Sequence, residues 1–226
     1  MKQESKETKR LVFATMNKGK LRELRSILQD MPLEILSAGD VDGFSSVEET
    51  GETFEANAEL KARAAAEIAG LPVLADDSGL EVDALDGKPG VRSARYGGES
   101  TDDSKNTILL LKNLKTVPWS KRTARFRCVV AFTDPDPKGF SPQNPSKEVI
   151  TFLKNPDHVY FAKGKCEGYI LEKPKGHSGF GYDPVFYSPD HGKTFAELAS
   201  SQKNKISHRA AAMKKMIKFL KEYYAG

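Results

Sequence analysis

The sequence predicts an α/β protein in which strands and helices interleave along a single domain. Three stretches carry that prediction. "LVFATMNKGKLRELRSILQD" gives an apolar run, a small polar turn and then Leu21, Leu24, Ile27 and Leu28 at helical spacing. "TFEANAELKARAAAEIAG" sets Phe54, Ala58, Ala62, Ala65 and Ala69 on one helical face, small enough to lie close on a sheet. "TARFRCVVAF" alternates Ala124, Phe126, Cys128 and Val130 with opposite-face residues, the period of a strand.

The remaining elements follow in order. Residues 1–10, "MKQESKETKR", are charged, lack the apolar core of a secretory signal and read as a polar leader before a domain spanning 11–226. A second apolar run covers Leu33 to Leu36, and Gly70 and Pro72 close the alanine-faced helix. "PVLADDSGL" then brings an apolar strand up to Asp76 and Asp77; taken alone, its Asp-Asp-Ser-Gly also reads as a turn. Leu80, Val82 and Leu85 approach the Gly/Pro-rich loop "DGKPGVRSARYGG", and a helix follows from Thr101. Asp134 to Pro156, rich in Pro, Asp, Asn and Lys, reads as a long excursion or hairpin. After Ser207 a last helix carries Met213, Met216, Ile217, Leu220 and Tyr224 on one face.

Composition narrows the functional classes. Of 226 residues, 38 % are hydrophobic and 29 % charged, and no apolar run approaches the ~20 residues of a membrane span, so a cytoplasmic protein without membrane contact is expected. Cys128 and Cys166 stand far apart with no CxxC, which suggests neither zinc nor a disulfide framework. The 35 basic and 31 acidic residues leave a net charge of +4, mixed along the chain, which suits an anionic ligand without demanding nucleic acid.

Four polar clusters stand at the ends of apolar segments: Thr15 to Lys20, Glu48 to Thr50, Asp76 to Ser78 and Lys203 to Arg209. In the first, Asn17 and Gly19 permit a tight turn whose amides, at a helix N-terminus, can hold an anion beside Lys20; the Walker A spacing is absent, and an ordinary strand-to-helix turn fits as well. Asn57 and Lys61 share one helical face. Glu48/Glu49 and Asp76/Asp77 offer the hard oxygen ligands that Mg²⁺ takes when it also binds substrate phosphates. In "GHSGFGYDPVF", Phe180 and Tyr182 lie among glycines where a flat ligand can approach and stack, and Asp183 can accept from a purine edge. Ser207 reads as an N-cap, which puts the cations His208 and Arg209 in a first helical turn that opposes them. Donors there suit a 6-oxo purine and reject a 6-amino group.

Together, "ATMNKGKLREL", "EETGETFEANAELKA", "LADDSGLEVDALDGKPGVRSARYGG", "SGFGYDPVF" and "TFAELASSQKNKISHR" resemble, in order, the motifs of the inosine/xanthosine triphosphate pyrophosphatase family. The resemblance implies an elongated two-lobed fold about a long mixed sheet, a cleft between the lobes and a homodimer. It implies Mg²⁺-dependent hydrolysis of ITP, dITP and XTP to the monophosphate and pyrophosphate. Carried over by position, Asp77 is the proton acceptor and Glu49 and Asp77 the metal ligands. Thr15, Met16, Asn17, Lys18, Gly19, Lys20 and Ser78 line the phosphate and sugar region, with Lys61 facing the substrate. Phe180, Gly181, Tyr182, Asp183, Lys203, His208 and Arg209 hold the base. Asp76 supports the turn or the surroundings of the metal. Ser178, in place of a glycine, is expected to narrow the base pocket, and Asp134 to Pro156 to be longer than the family's connection. The rival readings are a pyrimidine-directed pyrophosphatase of the Maf type and a non-catalytic nucleotide- or RNA-binding protein.

Overall fold

The computed structural model describes residues 9–44, 47–98, 102–136, 149–154 and 157–225. Most of the polar leader, Thr101 and most of the Pro-rich stretch lie outside the described residues. Strands β1 (Lys9–Phe13), β2 (Leu33–Ser37), β3 (Val73–Val82), β4 (Thr123–Thr133), β5 (Val149–Lys154), β6 (Asp157–Ile170), β7 (Phe186–Ser188) and β8 (Lys193–Thr194) form one sheet. Helices α1 (Lys18–Ile27), α2 (Phe54–Ala69), α3 (Asp103–Asn113), α4 (Ser200–Ile206) and α5 (His208–Ala225) flank it. The sheet order is β2-β1-β3-β4-β6-β7-β8, with β5 also on β6. β1 runs parallel to β2 and β3, and the other pairings are antiparallel, so the sheet is mixed as expected.

Three long strands carry the molecule. β3 pairs with β4 from Val73↔Thr133 to Val82↔Ala124, and β4 pairs with β6 from Thr123↔Tyr169 to Thr133↔Val159. β1 meets β3 only at Val73 and Leu74, so beyond Leu74 the edge of β3 is not paired with β1. The other edge divides in the same way: β5 pairs with β6 from Asp157 to Ala162, and β7 only at Tyr169 and Ile170.

Strand alternation then builds three apolar clusters. Leu11, Phe13, Leu74, Val130 and Phe132 face α1 and α5 through Leu24, Leu28, Met213, Met216 and Leu220. Val12, Val73, Ala75, Val129 and Ala131 face α2 through Phe54, Ala58, Ala62 and Ala65. At the far end, Leu80, Val82, Phe126, Phe186 and Phe195 close over Leu110 of α3. Among the described residues no helix is long and apolar enough to cross a membrane.

Several elements depart from the sequence expectation, among them β7, β8 and α4, for which it named no strand or helix. Asp76-Asp77-Ser78-Gly79 is mid-strand rather than a turn: ten consecutive residues of β3 pair with β4, and that pairing overrides local turn preference. β6 has no counterpart in the sequence reading, because Lys163-Gly164-Lys165 interrupts its apolar pattern. Gly164 is there for clearance, since a Cβ would run into the backbone of α5 at His208 and Ala212. This close approach is what sets the first turn of α5 against the middle of the sheet.

Gly164→Ala is therefore expected to destabilise the protein by about 1–3 kcal/mol, the range for overpacking an interior. Urea unfolding at neutral pH checks this, and an unchanged midpoint would show that α5 can shift without cost.

Candidate active site

A cleft of about 560 Å³ opens where β1 stops and β3 continues. Successive residues of a strand face opposite ways, so Asp76 and Asp77 point to different sides of β3 although they are neighbours. Asp76 shares its face with Leu74 and Leu80, Asp77 with Ala75. Each carboxylate accordingly has its own cations.

On the Asp76 side, the Lys20 ammonium lies 3.0 Å from Oδ2. Arg209 donates from Nε and Nη2 to the same oxygen, each at 3.2 Å. Burial pushes the Asp76 pKa up, but Lys20, Arg209 and Lys61 outweigh it and hold the carboxyl far below the usual range. Arg209 also reaches Ser78 Oγ at 3.1 Å through Nη2, and Glu23 through Nη1. A guanidinium has five N–H donors, and only the second hydrogen on Nη1 is left over. Arg209 thus serves first as a tie between α5, β3 and α1. Those two acids answer the dipole objection to a cation at this helix start.

On the Asp77 side, Lys61 Nζ lies 3.1 Å from Asp77 Oδ1 and 2.9 Å from Glu49 Oε1. Asn57 donates to Asp77 Oδ2 at 3.3 Å and accepts from the Gly51 amide at 2.7 Å, fixing the loop that carries Glu49. Burial raises the Asp77 pKa, Lys61 and Lys20 oppose it, and Glu49 adds to it; the net direction is up. Lys61 is shifted up as well, because Asp77, Asp76 and Glu49 outweigh its own burial.

The opposite wall is aromatic and charged. Lys203 Nζ pairs with Asp183 at 2.6 Å and Glu23 at 3.0 Å, and sits 4.6 Å from the centre of the Phe180 ring. Asp183 also accepts from the Phe180 amide at 2.9 Å, which folds the Gly-rich turn. Tyr182 donates to the Ser93 carbonyl at 2.8 Å. His208 stacks on Phe126 with ring centres 4.7 Å apart, and its buried Nδ1 has no hydrogen-bond partner among the described residues. Burial, then Arg209 and Lys203, hold His208 well below its ordinary pKa, so the imidazole is neutral at pH 7.

Of the sequence-predicted residues, Thr15, Met16, Asn17, Lys20, Glu49, Lys61, Asp77, Ser78, Phe180, Gly181, Tyr182, Asp183, Lys203, His208 and Arg209 all border this cleft. Lys18 and Gly19 do not. Lys18 is exposed on the outer side of α1. The amides of Gly19 and Lys20 are already bound by Asn17 Oδ1 at 2.8 and 3.1 Å, so the helix start is capped by its own side chain rather than left open for an anion. Gly19 gives Phe180 room, since a Cβ would stand 3.0 Å from that ring. Ser178 is exposed and off the cleft, so it does not narrow it. The bonds of Asp183 to Lys203 and to the Phe180 amide both fall on its Oδ2.

The sequence reading missed Glu23, Ser93, Asp103 and Phe126. Glu23 follows Lys20 by one helical turn, a spacing that places both on one face. Ser93 accepts from the Leu80 amide at 2.8 Å and donates to the Gly90 carbonyl at 2.6 Å, and nothing local in "GVRSARYGG" announces that. Asp103 accepts from the Gly181 amide at 2.7 Å across the fold.

For a metal, Glu49 and Asp77 are two hard oxygen donors on one side of the cleft. No cluster of three or more His, Cys, Asp or Glu side chains suited to an ion occurs among the described residues. The pair fits a cation that completes its shell with water and substrate oxygens, the habit of Mg²⁺.

Fold and cleft together define a mixed-sheet α/β protein with an acid-floored, cation-lined cleft at the end of a short parallel strand. A model of the Ham1 family matches residues 11–219, and the chain belongs to that family. It is 48 % identical over 215 residues to a dITP/XTP pyrophosphatase of Desulforamulus reducens, covering 95 % of this chain and 97 % of that protein. It is 50 % identical over 204 residues to the protein of the same name from Geobacter sulfurreducens, covering 90 % and 92 %. A HAM1 protein from Coxiella burnetii superposes with a TM-score of 0.79 at 37 % identity, covering 95 % of this chain and 99 % of that one.

The His208 environment has a pH consequence. Its folded pKa lies below the ordinary 6.5, so unfolding takes up a proton as pH falls under that value. Stability is full above about pH 6.5 and declines below it toward the folded pKa. Asp77 and Asp183, shifted up, act with the opposite sign, and Asp76 acts only in the carboxylate range. Urea midpoints measured from neutral pH downward are expected to fall, and His208→Gln to flatten that fall; an equal slope in the variant would show that other groups carry it.

Proposed function

We propose that this protein hydrolyses the deaminated purine nucleotides ITP, dITP and XTP to the monophosphate and pyrophosphate with Mg²⁺, as a cytoplasmic homodimer that cleanses the nucleotide pool. The enzyme class, a nucleoside triphosphate pyrophosphatase, follows from relatives named dITP/XTP pyrophosphatase that are 45–50 % identical over most of the chain. The observation that carries the reading is the convergence of Asp77 and Glu49 with Lys20, Lys61, Lys203 and Arg209 on one cleft whose far wall is Phe180. Acids alone would repel a triphosphate, and cations alone would bind it without chemistry.

Glu49 and Asp77 are the residues that would hold Mg²⁺, and a bound ion would neutralise phosphate charge and acidify an attacking water. Asp77 takes the proton from that water as its oxygen bonds the α-phosphorus. The bond from the α-phosphorus to its bridging oxygen breaks, and pyrophosphate leaves with the electron pair. Burial raises the Asp77 pKa, so this carboxylate is a better proton acceptor than an exposed one. Lys20 and Lys61 reach the phosphate region from α1 and α2, each already aimed by a carboxylate. Phe180 offers a face to the base, worth about 1–3 kcal/mol. Neutral His208 has an unpartnered ring nitrogen in a dry setting, and a 6-oxo group can accept from an imidazole N–H where a 6-amino group cannot.

Two outcomes are expected. Pyrophosphate release measured at matched concentrations with Mg²⁺ should favour ITP and XTP over ATP by at least about 100-fold and vanish with EDTA. Equal turnover of ATP would remove the base-reading role from His208, and no turnover of either group would sink the reading. Asp77→Asn should abolish release while leaving nucleotide binding within about tenfold of the parent; turnover near the parent's would take the proton-acceptor role away.

A further inference from the structure

Lys61 occupies a place that its own reading as a substrate contact does not explain. Its side chain is 12 % exposed, and its ammonium is shared between Glu49 at 2.9 Å and Asp77 at 3.1 Å, the same two carboxylates that would hold a divalent ion. The two acids come from unconnected elements, a loop before α2 and the middle of β3, and like charges brought together in a half-buried cleft repel. Arg95 approaches Glu49 at 3.8 Å from the far side, and Asn57 gives Asp77 one neutral donor. Among the described residues, Lys61 is the cation that bonds both members of the pair.

We infer that Lys61 is a stand-in cation for the Glu49–Asp77 pair, so that a divalent ion enters with the nucleotide rather than before it. The inference rests on the function proposed above. An ion arriving alone has to displace an ammonium held by two charge-assisted hydrogen bonds, and the other acid of the cleft floor, Asp76, already holds Lys20 and Arg209. A triphosphate supplies the missing partner: its oxygens accept the Lys61 N–H groups, the side chain leaves the carboxylates, and the ion carried on the phosphates takes them. The long, flexible lysine stem suits this exchange, because it moves its charge without moving α2. The protein holds its acidic pair together without metal, and it does not sequester ions when no substrate is present.

Removing the stand-in should open the pair to metal. Mn²⁺ titrated into nucleotide-free protein, with the free ion followed by electron paramagnetic resonance, reads this without turnover. The parent is expected to bind weakly, and Lys61→Met about ten- to a hundredfold more tightly. Lys61→Gln, which is shorter and uncharged but can still hydrogen-bond, covers the case in which methionine unfolds the protein, and circular dichroism confirms the fold of each. Lys20→Met removes a cation that bonds Asp76 and acts on Asp77 only at longer range, and should raise Mn²⁺ affinity by less than the Lys61 variants do. Failure of both Lys61 variants to gain affinity overturns the inference, whether the parent already binds tightly or none of them binds. An equal gain from Lys20→Met also overturns it, because the effect would then be net charge. Failure of the pyrophosphatase reading would show instead in the release assay, which this titration does not use.

Discussion

The placement of two adjacent carboxylates on opposite faces of one strand is the constraint on which the rest of the site depends. Within a turn, Asp76 and Asp77 would compete for the same counter-charges. Within β3 the pleat separates them, so that α1 and α5 serve one and α2 serves the other. That division requires β3 to stay extended through Gly79, which β4 enforces along its whole length. It also requires β1 to stop at Phe13, because a longer β1 would cover the edge where both side chains become accessible.

Around Asp76 the charges form a chain: Lys20 and Arg209 on Asp76, Arg209 and Lys203 on Glu23, Lys203 on Asp183. It joins β3, α1, α5, α4 and the Gly-rich turn. Burying so many charges is not in itself a source of stability, since desolvation offsets much of the attraction. What it secures is position. Each member has few alternatives, and losing one leaves a buried charge that costs about 3–5 kcal/mol, so the elements are held in one arrangement. The cations facing a ligand are then aimed before it arrives, which lowers the ordering cost of binding.

The far half of the sheet contributes shape. Phe126, Phe186 and Phe195 pack together beside α3, and His208 stacks on Phe126 at the boundary between this cluster and the charged network. A histidine caught between an aromatic core and two cations stays neutral. Its position depends on Gly164, whose missing side chain lets α5 sit against β6.

The sequence by itself determined the starts of α1, α2 and α5 and the end of α2. Asn17, Thr53 and Ser207 begin α1, α2 and α5 by accepting amide hydrogens, and Gly70 ends α2 in the left-handed region at φ 60°. These are local interactions, written within a few residues. Most of the side chains that the ordered motifs assigned border the cleft, Lys18 and Gly19 excepted, while Ser93, Asp103 and Phe126 line it without having been assigned. Only the tertiary structure decided what those side chains do for one another. β6 was hidden because Lys163-Gly164-Lys165 answers to a helix packed on it, not to strand periodicity. The partnership of Arg209 with Asp76 spans 133 residues, that of Tyr182 with Ser93 spans 89, and no local spacing encodes either. Whether a buried charge is paired, shared or left free is a property of everything that surrounds it, and that becomes definite only when the strands are in register.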